Sequence, residues 1–260
     1  MSKIKYGSQT YPWQMNIKKF HGQVPHMADT LIKAGFTGME AEICMLEDYY
    51  TDWQKLKDLL DEKQITFAAL AVHEDWLLPE ETDGERERLD EAIEFLTHFP
   101  TAKLMLGHVA ADPVNQLKCI SSIAQRAAEA GVVTVFHPNS GENSIFRYES
   151  DYHIMFDTLY SKGIGYAPDA GHMLNGGIDP LKVIREHRDI VQHVHFKDMT
   201  PDHVWATMGE GIGDFKSIVD FLADTGYQGW IMTEDESPDA EQDSDGVVLA
   251  DGAYMKSIAR

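Results

Sequence analysis

Read for its apolar and polar positions, the chain repeats one pattern from end to end. A stretch with helical spacing closes on Gly or a polar break. A short apolar run follows, and it stops at an acidic or imidazole side chain. The runs are KIKYGSQ at 3–9, KAGFTGMEAE at 33–42, EKQITFAALAVHE at 62–74 and TAKLMLGH at 101–108. They continue with EAGVVTVFHPN at 129–139, KGIGYAPDAGH at 162–172, DIVQHVHFKD at 189–198 and TGYQGWIMTED at 225–235. Helices are predicted over 24–34, 52–63, 84–98, 113–130, 151–162, 179–187, 214–225 and 247–259. In the clearest of them Asp112 suits the N-cap, Pro113 the first helical position and Gly131 the position past the end. Val114, Leu117, Ile120, Ile123, Ala124 and Ala127 then fall on one helical face.

Strands that alternate with helices require parallel pairing, because parallel neighbours need a crossover. Runs such as VVTVF and FAALAV are nearly continuous, as expected for strands covered on both faces. Eight such units at this length predict an α/β fold, a (β/α)8 TIM barrel, as a single domain over 1–260. A doubly wound open sheet would carry a Gly-rich loop after its first strand, and here that strand runs into SQTYPWQ.

A barrel gathers its chemistry at the C-terminal ends of its strands. Those places hold Glu40 and Glu42, His73 and Glu74, His108, His137 and Asn139, Asp169 and His172, His193 and His195, and Glu234. Four of the ends, at His137, Asp169, His195 and Glu234, offer side chains that can converge on one divalent ion, with donors suited to Mn, Zn, Co or Fe. Glu42 and Glu74 read as solvated loop carboxylates. Tyr11 and Trp13 follow the first strand, where aromatic rings can line a sugar or simply cap the barrel. With His73, His108 and Asn139 they form the expected substrate-binding set. GEGIGDF at 209–215 reads either as a backbone-lined phosphate pocket or as a plain flexible loop. EDESPDAEQDSDG at 234–246 reads as a solvated acidic loop, because it lacks the twelfth-position Glu of a calcium loop.

Composition narrows the function. The chain of 260 residues carries 22 basic and 43 acidic side chains, a formal charge of −21. That excess repels phosphate backbones, so no nucleic-acid partner is expected. No apolar run is long enough for a membrane span, and MSKIKYGSQTYPW lacks the apolar core of a secretory signal. Two isolated cysteines, Cys44 and Cys119, suit a reducing cytoplasm. A small carbohydrate is the partner that Tyr11 and Trp13 would suit if they line the mouth. Pairing into a homo-oligomer is allowed, with no interface legible.

The strand-end motifs resemble the xylose-isomerase-like barrel superfamily of sugar phosphate isomerases and epimerases. GSQTYPW, GFTGMEAE, PDAGH at 168–172, HVHFKD at 193–198, GEGIGDF and GYQGWIMTE carry the resemblance. It implies that Asp169, His195 and Glu234 are metal ligands and that His172 is their active-site neighbour. Many isomerases of the superfamily have a Glu at the end of strand five, where this chain has His137. FHPN and HFKD are closer to the inosose dehydratase branch. The resemblance therefore implies a divalent-metal-dependent lyase that eliminates from a keto-sugar or inosose through an enediolate. His172, Lys197 and Glu40 are its candidates for proton transfer. An isomerase or epimerase with the same ligands is the alternative. A non-catalytic sugar-binding barrel, or one subunit of a two-component enzyme, is the alternative from another class.

Overall fold

The helix expected over 113–130 forms as Pro113–Glu129. The Asp112 carboxylate accepts from the backbone N–H groups of Val114 and Asn115, both at 2.9 Å. Two of the four donors that a helix N-terminus leaves unpaired are satisfied in this way. Leu117, Ile120, Ile123 and Ala127 are buried as the spacing predicts. Val114, in the first turn, is instead 52% exposed. Gly131 takes a φ of +80°, a conformation costly for any residue with a Cβ.

The structure is a computed structural model that describes residues 4–108, 112–141, 144 and 146–260. In chain order the strands are β1 Lys5–Gln9, β2 Gly38–Glu42, β3 Thr66–Glu74, β4 Lys103–His108 and β5 Val133–Phe136. They continue as β6 Gly165–Tyr166, β7 Val194–Phe196, β8 Asp198–Met199, β9 Trp205–Ala206 and β10 Trp230–Thr233. The helices are α1 Tyr11–Gln14, α2 Ile17–Phe20, α3 Val24–Ala34, α4 Ile43–Leu46, α5 Asp48–Thr51, α6 Trp53–Lys63 and α7 Asp83–Thr97. After these come α8 Pro113–Glu129, α9 Glu149–Lys162, α10 Ala170–Asn175, α11 Pro180–Glu186, α12 Phe215–Asp224, α13 Pro238–Gln242 and α14 Ser244–Ile258. Every predicted helix has a counterpart. The short helices α1, α2, α4, α5, α10 and α13 and the β8–β9 hairpin were not expected.

The chain divides into two compact units, Met1–Ala68 with Val194–Arg260, and Ala69–His193. In the first, the strands lie in the order β2–β1–β10–β7, all parallel. Gly7 pairs with Gly38 across β1 and β2. A Cβ at Gly38 would stand 2.4 Å from the Trp230 ring, so the bare backbone there makes room for the indole. Trp230 and Met232 pack with Ala68. Outside the sheet, α3 buries Val24, Met27, Ala28 and Leu31, the i, i+3, i+4, i+7 stripe of an amphipathic helix.

In the second unit the order is β3–β4–β5–β6, again parallel. Its core holds Ala69, Ala71, Met105, Val135 and Ala167. The loop after β3 is fixed by a capping box at the start of α7. Thr82 accepts from Glu85 N–H, and the buried Glu85 carboxylate accepts from the backbone N–H groups of Thr82 and Trp76.

Candidate functional site

In the first unit the strand ends bring three ionisable side chains together. His195, on β7, is wholly buried. Its Nδ1 lies 2.9 Å from Glu234 Oε2, just past β10, and its Nε2 lies 3.0 Å from Glu40 Oε1 on β2. Glu40 is also wholly buried and Glu234 nearly so. Burial by itself would lower the pKa of His195, but the two carboxylates outweigh it and hold the pKa at about 10. With a carboxylate on each nitrogen and no metal bound, the ring is an imidazolium. The ring thus stands between two buried carboxyl groups.

Lys197 follows His195 by two residues, just past the end of β7. It is 1% exposed. Its Nζ contacts the Glu236 carboxylate, lies 3.5 Å from Glu234 Oε2 and sits 5.3 Å from the centroid of the Trp205 ring. Two carboxylates and an aromatic face thus surround the amine. Tyr11 shares these surroundings. Burial first, then the charges of Glu236, Glu234 and Glu42, push its phenol to about 12 against the opposing pull of Lys197.

The second unit builds its polar end differently. One oxygen of Asp169 caps α10 by accepting from His172 N–H at 2.7 Å. The other lies 3.4 Å from His137 Nε2. His137 and Asp169 are both buried. Asn175 Nδ2 donates to Ser140 Oγ at 2.8 Å, and Ser140 Oγ is 2.8 Å from His172 Nδ1. The Ser140 hydroxyl, already accepting from Asn175, thus has its hydrogen free to turn toward Nδ1. The rings of His137 and His172 meet edge to face, with centroids 5.6 Å apart.

The remaining expected substrate residues are placed as follows. His73 pairs in register with Gly107. A Cβ on Gly107 would stand 2.2 Å from His73 Nε2, so the imidazole lies over bare backbone. Asn139 is half-buried. The side chain of His108 lies outside the described residues. Trp13 is fully buried, and its indole donates to Asp245 Oδ1 at 2.7 Å.

Several expectations are corrected. Glu42 and Glu74 are not merely solvated carboxylates. Glu42 accepts from Gln14 Nε2 at 3.0 Å, and Glu74 accepts from Arg88 Nη2 at 2.7 Å. The glycine-rich segment is neither an open phosphate pocket nor a plain flexible loop. The backbone N–H groups of Gly209 and Gly211 donate to Asp198 Oδ2 at 3.0 and 2.9 Å, and that of Gly213 donates to Asp198 Oδ1 at 3.0 Å. An internal carboxylate fills the cradle that such donors would offer an anion. The acidic segment is also structural: Asp235 accepts from Ser237 N–H, and Asp243 caps α14. Sequence reasoning missed Asp198, Trp205, Glu236 and Asp245 as contributors. Alternate Gly at 209, 211 and 213 was the one local sign that a loop so bare of side chains had a partner elsewhere.

The model of the xylose isomerase-like TIM barrel family matches residues 28–257. The chain is 29% identical over 140 residues to an inosose dehydratase of Lacticaseibacillus casei, covering 47% of this chain and 46% of that protein. It is 32% identical over 145 residues to the rhizopine catabolism protein MocC of Rhizobium meliloti, covering 48% of this chain and 41% of that protein. The chain thus spans about half the length of the curated relatives it matches. Among solved structures, the 3-keto-D-glucoside 4-epimerase YcjR of E. coli aligns with a TM-score of 0.72 at 16% identity, over 98% of this chain and 99% of that one. At that identity the likeness shows the fold alone. The fold expected from the strand–helix alternation is the observed one, and the chain belongs to the xylose isomerase-like TIM barrel family.

Proposed function

We propose that this chain is an enzyme that uses one divalent metal ion to act on a keto-sugar or inosose, with β-elimination as the reaction. The observation that carries the reading is the burial of His195 between Glu40 and Glu234, beside the buried Lys197. Imidazole and carboxylate side chains buried together are a donor set that a divalent ion can take. We keep His137, Asp169, His195 and Glu234 as the proposed ligands. The mixture of imidazole and carboxylate suits Mn, Zn, Co or Fe. When bound, the ion supplies Lewis acidity toward the substrate carbonyl.

The chain's own groups divide the proton work. Glu40, a carboxylate when His195 carries the neighbouring charge, is the base for the proton next to the carbonyl. Lys197 stands beside Glu234 and Glu236 and, as an ammonium, donates to the leaving oxygen. We read Ser140 as the donor to Nδ1, in which case His172 presents Nε2–H to a substrate oxygen. Tyr11, Trp13, His73, His108 and Asn139 remain the proposed substrate-binding set, with Trp13 acting by packing. We read 1–260 as one barrel domain acting on a small carbohydrate. No described helix is long and apolar enough to cross a membrane. The two unpaired thiols, Cys44 and Cys119, support a cytoplasmic setting.

Elemental analysis of the purified protein, followed by incubation with inososes, 3-keto-sugars and free ketoses in D2O, tests the reading by NMR. The expected result is about one equivalent of a transition metal and, with one substrate class, loss of water with deuterium exchange beside the carbonyl. Exchange with return of a stereoisomer would instead assign epimerisation. A metal-free protein that exchanges no proton of any compound would overturn the proposal.

A further inference from the structure

The proposed chemistry uses Glu234 and Glu236 at the start of the acidic segment 234–246 but leaves its far end without a role. The segment closes on Asp245, in the first turn of α14. Asp245 Oδ1 accepts from Trp13 Nε1 at 2.7 Å, across 232 positions of sequence. His26 Nε2, on α3, lies 3.0 and 2.9 Å from the two oxygens of the same carboxylate, and Thr30 Oγ1 reaches it at 3.5 Å. One side chain therefore ties α14 to both α1 and α3.

α1 needs such a tie. It has four residues, no side-chain cap at its N-terminus, and a Pro inside its first turn. A helix this short has no stability of its own, so tertiary contacts set its position. At the far end of α1, Gln14 Nε2 donates to Glu42. At its start, Tyr11 N–H donates to Gln9 Oε1. Between them Trp13, wholly buried, has a single polar atom, and that atom is on Asp245. A buried indole N–H without an acceptor is costly, so the carboxylate selects where the ring sits. Tyr11, two residues earlier on the same turn, places its phenol among Glu236, Glu234 and Lys197.

We infer that Asp245 is a positioning residue of the proposed active site. It fixes the Trp13 indole, and through α1 it sets where the Tyr11 phenol stands for substrate. This rests on the proposed function only for the word substrate, since the Asp245–Trp13–Tyr11 linkage is a property of the folded chain. The His26 contact makes the carboxylate a two-sided clamp. D245N keeps an oxygen able to accept the indole proton, whereas D245A removes it.

The test uses the full-length protein, labelled with 15N at tryptophan indoles and 13C at the tyrosine ζ carbon. W13F and Y11F assign the two resonances. In D245A the Trp13 indole signal should shift and exchange faster, and the Tyr11 signal should move with it. In D245N both should stay close to wild type. Where a sugar is turned over, D245A should raise KM by about tenfold with kcat within about twofold of wild type, and D245N should restore KM. W13F should reproduce the D245A effects on Tyr11 and on KM, and the double variant should add nothing further. If D245A does not fold, W13F alone decides, since it keeps a ring while removing the donor. A Tyr11 resonance unmoved in W13F or D245A, or a D245N variant as defective as D245A, would overturn the inference. A wild type that acts on no sugar would sink the functional reading, while the resonances still decide the linkage.

Discussion

The two units carry histidines at their strand ends for different physical reasons. His195 is set by charge: a carboxylate stands on each ring nitrogen, and its pKa is held at about 10. His172 is set by hydrogen-bond order: Asn175 orients Ser140, and Ser140 orients the ring. A charged cluster is strongly altered by an added cation, because its repulsions are what the cation relieves. A hydrogen-bonded chain fixes which nitrogen holds a proton and is indifferent to ions. The contrast is between a histidine held by charge and one held by a chain of hydrogen bonds.

The largest effect should come from removing the centre of the charged region. His195→Ala leaves Glu40 and Glu234 buried without their cation, at a cost of about 3–5 kcal/mol in metal-free protein. It should also abolish metal binding, which denaturant titration and elemental analysis would check together. The pH dependence has a definite sign. The folded pKa of about 10 lies above the ordinary histidine value of 6.5, so the stabilisation is complete below pH 6.5 and disappears as pH rises through about 10. Metal-free wild type should therefore lose stability across that window. His195→Ala should lack the slope, and an equal slope in both would break the comparison.

Asp198→Ala comes next. It strips the N–H groups of Gly209, Gly211 and Gly213 of their acceptor, and about 2–3 kcal/mol should be lost. Faster amide exchange confined to 209–213 would confirm that the carboxylate holds that loop. Ser140→Ala should cost only about 1 kcal/mol and leave metal content unchanged. Its signature should be tautomeric: the 15N shifts of His172 should show the Nε2–H form in wild type and a mixture in the variant. Loss of metal from Ser140→Ala would mean that the second region is not governed by hydrogen-bond order after all.

The smallest effect is expected at Asp251, a wholly buried acid on α14. Burial first, then the charge of Asp235, raises its pKa well above the usual carboxylate value. A raised acid pKa favours the folded state only while the group is protonated. Its contribution is fully present below about pH 3.8 and declines as pH rises toward the folded value. Asp251→Asn keeps the shape and an acceptor for Met208 N–H. It should change stability near neutral pH by no more than about 1 kcal/mol, in the stabilising direction. A large loss in thermal unfolding would show that the charge itself is needed.

The α/β alternation, all eight long helices and the caps of α8 were legible along the chain, because each depends on neighbours within about one or two turns. The strand-end positions of Glu40, His137, Asp169, His195 and Glu234 were legible for the same reason: an apolar run that stops is a local event. The short α1, α10 and α13 were not, since helices of four to six residues exist only where tertiary contacts hold them. The roles of Glu236 and Asp245 were hidden in a stretch that read as acidic loop, and Asp198 stood in the HVHFKD run without a role of its own.

What the order of residues determined alone is the succession of elements and the place in each where apolar burial gives way to polar chemistry. Periodicity and capping act over short separations and need no folded partner. The tertiary structure decided which carboxylate meets which donor. It set Asp198 against the glycine N–H groups, Asp245 against an indole 232 residues away, and Glu40 and Glu234 on opposite sides of one imidazole. Such pairings follow from strand register and from the desolvation of groups distant in sequence. Neither exists until the sheet has formed.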